Sequence, residues 1–402
     1  MEISHTILSI ILILIAAKVF GELAERINQP PVLGELIAGV ILGSSLLGWI
    51  KEDDVLITLA EVGAILLLFE VGLESDLEEF LRVGWSAFLV AVIGVAGPFA
   101  VGYFASIMLG LSTYVAIYIG ATLTATSVGI TARTLTDLGR LQTPEAKIVL
   151  GAAVIDDVLG LIILAIVAGL VVTGTLSTLM VVKVTGLAIV FLVGAIVLGV
   201  PVAPHLLKIA QRMRTRGILT ISAFVFCLFL AFTAESLQLA GIVGAFAAGL
   251  VLARTEELAH IQERIKPLAD IFIPVFFVML GVKVRLQDIN PFNPENSQIV
   301  MLALLLIVIA ASMKLFAGLG VVRSSASRLI VGIGMIPRGE VGLIFAKMGI
   351  DRGVLNSGEY AAIVAVVVAT TFMTPFLLKL AFQRIAKKLQ KTSSHSPDAT
   401  NA

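Results

Sequence analysis

Asp156 and Asp157 stand side by side in the stretch Val154-Ile155-Asp156-Asp157-Val158-Leu159-Gly160. The apolar run around them extends from about 148 to 172, longer than the ~20 residues that cross a bilayer as a helix. If that helix enters near Lys147, Asp157 lies roughly 15 Å deep at ~1.5 Å per residue, about half of a ~30 Å hydrocarbon core. A carboxylate at that depth costs about 2.5–3.5 kcal/mol to insert even on the mildest scale. Neighbouring side chains on a helix point about 100° apart. The two acids are therefore expected to divide the work, one holding a mobile cation while the other is ion-paired. The competing reading is a fixed ion pair that serves structure alone.

Other residues complete this chemistry. Lys314 lies about 13 Å deep, counted from Arg323 at ~1.5 Å per residue. A lysine stem covers only part of that distance, so Lys314 needs a buried acid or should be neutral. Asp156 or Asp157 is its partner at matching depth. Thr126 and Ser127 sit in the hydroxyl-rich stretch 122–129, and Arg338 and Glu340 in the Gly- and Pro-containing stretch 332–340. A carboxylate with hydroxyl and carbonyl oxygens forms a hard-oxygen set that suits sodium or lithium, or a proton in its place. A divalent ion would call for more carboxylates. Arg338 and Glu340 either neutralise the dipole ends of two half-helices or act on the ion directly. Lys18 and Lys379 lie near segment ends and are expected to snorkel. Glu235 is expected to be solvated. Glu70, Glu74, Asp76, Glu78 and Glu79 form an acidic cluster, read as a solvated loop or as a vestibule that attracts cations.

Composition frames these residues. The 402 residues are 58% hydrophobic and 14% charged, with zero formal net charge, and the mean hydropathy is +1.05. That is an all-α polytopic membrane protein with no nucleic-acid partner. The single cysteine, Cys227, excludes an internal disulfide and leaves the redox compartment unread. None of the four histidines lies mid-span beside another ligand type. Zinc spacings, Gly-x-Ser-x-Gly and a Walker loop are missing, so no cofactor and no enzymatic activity are expected. An intramembrane aspartyl protease needs its two acids on separate helices facing one water, and here they are adjacent. A passive channel would be blocked by a salt-bridged site. Met1-Glu2-Ile3 lacks the basic start of a signal peptide, so the first apolar run is expected to stay as a span.

About thirteen apolar segments follow one another, near 4–25, 32–49, 55–73, 85–110, 113–136, 145–172, 181–207, 217–236, 239–254, 265–283, 297–320, 326–349 and 358–383. One set of alternate loops carries about eighteen Lys and Arg, Arg133 among them, the other about six, which places the first set in the cytoplasm. The N-terminus is then outside and the C-terminus inside. Segment two (Gly34-Glu35-Leu36-Ile37-Ala38-Gly39) resembles segment nine (Gly244-Ala245-Phe246-Ala247-Ala248-Gly249), and the end of segment three (Gly72-Leu73) resembles that of segment ten (Gly281-Val282). Both offsets are about 210 residues, or seven segments, so the second copy is inverted. Inverted repeats, with broken helices in corresponding positions, mark secondary transporters and their binding sites. Segments five and twelve, which hold 122–129 and 332–340, are the expected broken pair.

Ala152-Ala153-Val154-Ile155-Asp156-Asp157-Val158-Leu159-Gly160, with Thr124-Ala125-Thr126-Ser127 upstream and Met335-Ile336-Pro337-Arg338-Gly339-Glu340-Val341-Gly342 downstream, resembles the monovalent cation:proton antiporter-2 family. The likeness is to its bacterial sodium/proton branch with thirteen spans and paired aspartates. The resemblance implies that Asp157 loads sodium or protons in turn, and that Asp156 exchanges a salt bridge with Lys314 for the ion. Thr126 and Ser127 would line the crossing of two discontinuous helices, with Glu340 and Arg338 as accessories. It implies a scaffold for dimerisation (1–84 and 217–296), an ion-transporting core (85–172 and 297–388), a linker helix (181–210) and elevator-like movement of the core. A short disordered tail (389–402) is read from composition. The expected function is exchange of sodium or lithium for protons in the cell (inner) membrane by a homodimer surrounded by lipid. Exchange is electrogenic if Lys314 releases a proton as the pair opens. The alternatives are potassium/proton antiport and sodium-coupled symport of an organic anion. The potassium-exporting branch with a soluble nucleotide-binding domain typically has Gln-Asp where this chain has Asp156-Asp157.

Overall fold

Apolar runs of this length leave backbone N–H and C=O groups no partner but each other, and the helix satisfies them all within one segment. The computed structural model describes residues 2–51, 53–75, 82–173, 178–213, 217–237, 239–284 and 297–393, with positions 78 and 215. Among them every regular element is helical. In order these are α1 (Glu2–Arg26), α2 (Pro31–Leu42), α3 (Asp54–Leu73), α4 (Gly84–Met108), α5 (Thr113–Thr122), α6 (Val128–Asp137), α7 (Pro144–Thr173), α8 (Thr178–Gln211), α9 (Ile218–Ser236), α10 (Gly241–Leu252), α11 (Leu258–Val282), α12 (Ser297–Ala317), α13 (Arg328–Gly334), α14 (Glu340–Asp351) and α15 (Ser357–Ser393), with a 3-10 turn (Gly318–Gly320) after α12. Among the described residues eight helices are long and apolar enough to cross a membrane by length and composition. The expected count of about thirteen spans rests also on the shorter and interrupted ones.

Local chemistry sets the helix starts. Asp53 Oδ1 accepts from the Leu56 N–H at 2.8 Å and caps α3. Asn356 and Glu359 cap α15 reciprocally, each side chain accepting from the other's backbone N–H at 2.9 and 2.8 Å. α15 continues to Ser393, so the first residues of the expected disordered tail are helical. Arg384-Ile385-Ala386-Lys387-Lys388-Leu389-Gln390-Lys391 is made almost entirely of good helix formers. Positions 394–402 lie outside the described residues.

The two interruptions fall where the sequence places them. α5 stops at Thr122 and α6 begins at Val128; α13 stops at Gly334 and α14 begins at Glu340. In the first, the Thr124 hydroxyl donates to the Ala121 carbonyl at 2.7 Å, a local bond that competes with the helical ladder. In the second, Pro337 has no N–H to give. The stretches cross: the Ser127 N–H donates to the Pro337 carbonyl at 2.8 Å.

The repeat is equally visible in the packing. A Cβ on Gly39 would lie 2.8 Å from Gly281 Cα, and one on Gly249 would lie 2.8 Å from Gly72 Cα. The α2–α11 crossing is thus matched by the α10–α3 crossing, each copy lending one glycine to both. Such contacts replace the hydrophobic drive that is missing in lipid. Helices α1–α3 pack chiefly with α9–α11, and α4–α7 with α12–α15; α8 lies against α7, α9 and α10. The outer faces of α1 (Ile7, Ile11, Ile15) and α8 (Val190, Val193, Val197) are exposed and apolar.

Candidate ion-binding site

α7 carries Asp156 and Asp157 into the crossing of the two interrupted segments, with 1% and 8% of their surface exposed. Lys314 reaches the same point from α12 and is fully buried. Its Nζ lies 3.3 Å from Asp156 Oδ1 and donates to Thr126 Oγ1 at 2.6 Å. The choice left open between the two acids therefore falls on Asp156 in this arrangement. Room for the lysine comes from α4, where a Cβ on Gly94 would sit 3.4 Å from Nζ.

The acceptors around the pair are only partly used. Asp156 Oδ2 and Ser127 Oγ are buried oxygens with no hydrogen-bond partner among the described atoms. Buried polar atoms left unsatisfied cost about 1–3 kcal/mol each. Thr126 is held differently. Its hydroxyl accepts a hydrogen bond from Lys314 Nζ and donates to the Met335 carbonyl at 3.5 Å. Here it orients the lysine. Gly339 closes against Ser127: a Cβ there would be 2.5 Å from Ser127 Oγ.

Arg338 is fully buried. Its Nη1 donates to the Ala125 carbonyl at 2.9 Å, so the guanidinium of one broken segment satisfies a carbonyl freed in the other. Arg338 and Asp156 act on one another electrostatically, and both act on Lys314. Two acids and two bases thus share a site with almost no solvent. Glu340 opens α14, and its side chain lies outside the described ones.

The residues read as peripheral are exposed in part. Lys18 and Glu235 reach the surface, as does Glu78, which lies 3.5 Å from Arg254; Asp76 and Glu79 are outside the described residues. Arg133 is a departure. Counted from sequence as a loop cation, it sits inside α6, with Nε 3.0 Å from Asp137 Oδ1 and Nη2 3.7 Å from Glu35 Oε1 on α2. The signal was there: Arg133 and Asp137 have helical i,i+4 spacing, and Glu35 stands one turn inside an apolar segment.

The profile of the family described as sodium/hydrogen exchanger, transmembrane, matches residues 9–384. The high-affinity Na(+)/H(+) antiporter NhaS3 of Synechocystis is 40% identical over 96% of this chain and 92% of its own. The Na(+)/H(+)-K(+) antiporter GerN of Bacillus cereus is 36% identical over 93% and 95%. The structure of the sodium proton antiporter MjNhaP1 from Methanocaldococcus jannaschii aligns with a TM-score of 0.67 at 19% identity, over 94% of this chain and 96% of that one. The chain belongs to the sodium/hydrogen exchanger family of membrane transporters.

Proposed function

We propose that the chain exchanges sodium or lithium for protons across the cell membrane, with Asp157 as the carboxylate that carries either ion. The observation behind this is the fully buried Lys314–Asp156 pair beside two unpartnered oxygens, Asp156 Oδ2 and Ser127 Oγ. When sodium enters, Asp156 turns from Lys314 to the ion, and Asp157 and Ser127 complete an all-oxygen set. When protons return, the ammonium recovers its carboxylate. Sodium and protons therefore hold the site alternately. If Lys314 loses a proton at each sodium entry, as Asp157 does, two protons move against each sodium and exchange is electrogenic. Helices α4–α7 and α12–α15 form the moving core, α1–α3 and α9–α11 the scaffold, and α8 the link. The apolar outer faces of α1 and α8 serve for lipid and for a second copy in a homodimer. The Lys and Arg asymmetry between loops places the N-terminus outside and the C-terminus in the cytoplasm.

The test is reconstitution into liposomes holding a pH-sensitive dye, with each alkali cation added in turn. Sodium or lithium is expected to drive proton release. A response to potassium alone would instead support potassium/proton exchange, and no response to any cation would remove the proposal.

A further inference from the structure

The unwound stretch around Arg338 is held by a helix that none of the ion-site residues occupies. α15 packs against α6, α12, α13 and α14, and it buries three threonines, Thr370, Thr371 and Thr374, at 0%, 4% and 0% exposure. Two of them address the same residue. Thr371 Oγ1 donates to the Arg338 carbonyl at 2.7 Å. Thr370 Oγ1 accepts from the Arg338 N–H at 3.3 Å, while donating back to Val366 of its own helix at 2.7 Å. Thr374 does neither: among the described residues its hydroxyl bonds the Thr370 carbonyl, at 2.7 Å.

Arg338 has no helical neighbours to satisfy its backbone, because it lies between α13 and α14. In the membrane interior its N–H and C=O must nonetheless be paired. α15 supplies both partners through adjacent side chains, and this fixes the peptide from two sides. The same residue sends its guanidinium to the Ala125 carbonyl at 2.9 Å, and its charge acts on Asp156 and Lys314. The position of that charge is thus set by two hydroxyls on another helix. We propose that Thr370 and Thr371 are positioning residues for cation binding, clamping the Arg338 backbone so that its charge balances the aspartate pair. This rests on the crossing being the ion site. Exchange of Asp156 between Lys314 and sodium is sensitive to any fixed charge nearby, so loosening Arg338 changes ion affinity before it changes the movement of the core.

Thr371→Val keeps the shape and removes the donor; Thr371→Ser keeps the donor; Thr374→Val makes the same change on the same buried helix without touching Arg338. Sodium-driven proton flux in liposomes is measured across sodium concentrations for each, beside Asp157→Asn. Thr371→Val is expected to raise the sodium half-saturation on the order of fivefold to tenfold, as loss of one buried hydrogen bond implies, with the maximal rate nearly kept. Thr371→Ser is expected to restore the wild-type half-saturation, and Thr374→Val to leave it unchanged. If Thr371→Val does not insert, Thr371→Cys, a weaker donor of similar shape, should give an intermediate rise. Equal half-saturations for Thr371→Val (or Thr371→Cys) and Thr374→Val, with Asp157→Asn inactive, would overturn the clamp and leave the ion site standing. Wild-type exchange by Asp157→Asn would overturn the site and the clamp with it.

Discussion

Replacing Lys314 by Met tests whether the buried pair is a structural as well as a chemical element. Both side chains of the pair have 0% exposure, and the substitution leaves Asp156 Oδ1 and Thr126 Oγ1 without their donor. Removing one partner of a buried pair costs about 3–5 kcal/mol. Unfolding entropy near 2.1 cal/mol/K per residue gives roughly 0.84 kcal/mol/K for 402 residues. The melting temperature should therefore fall by about 4–6 °C. Adding Asp156→Asn to the same protein removes the orphaned charge and should recover most of that loss. Thermal unfolding of the detergent-solubilised protein gives all four corners of the cycle. If the two single changes add, so that the double variant is the least stable, the pair does not exist as described.

Other consequences can be checked independently. Lys314→Gln is expected either to abolish exchange or to make it insensitive to an imposed membrane potential; a normal rate with unchanged voltage dependence would remove Lys314 from the mechanism. Gly39→Ala should destabilise strongly, since its Cβ would lie 2.0 Å from the Val278 carbonyl, whereas Gly160→Ala meets nothing within 4 Å and should be neutral in the same melting experiment. Arg133→Gln leaves Glu35 and Asp137 facing each other without a cation. It should lower the melting temperature by an amount similar to the Lys314 change, and a neutral result would show that the ion pair is not formed.

Much of this was legible from the chain because lipid makes charge conspicuous. Asp156, Asp157 and Lys314 stand out as the deep ionisable residues of apolar segments. The interruptions at Thr122–Val128 and Gly334–Glu340 show in their hydroxyls, glycines and Pro337. Depth alone could not say which aspartate meets Lys314, since adjacent residues differ in azimuth and not in height. The role of Thr126 as a lysine partner and that of Thr371 as a backbone clamp were also hidden. A threonine in an apolar helix looks the same whether it bonds its own helix, as Thr374 does, or another segment, as Thr371 does. Arg133 lies within the apolar segment 113–136, so its charge rather than its position puts it among the loop cations. Burial by neighbouring α2, rather than local hydropathy, decides its surroundings.

Whether one carboxylate serves both ions is decided by competition between them. Initial exchange rates are measured against sodium concentration at several pH values on the loading side, in liposomes containing the wild type and Asp157→Asn. Protons and sodium cannot occupy Asp157 together, so acid should raise the sodium half-saturation while saturating sodium largely restores the rate, and Asp157→Asn should insert normally but not exchange. A maximal rate that falls with acid at a fixed half-saturation, or exchange by well-folded Asp157→Asn, would contradict the account.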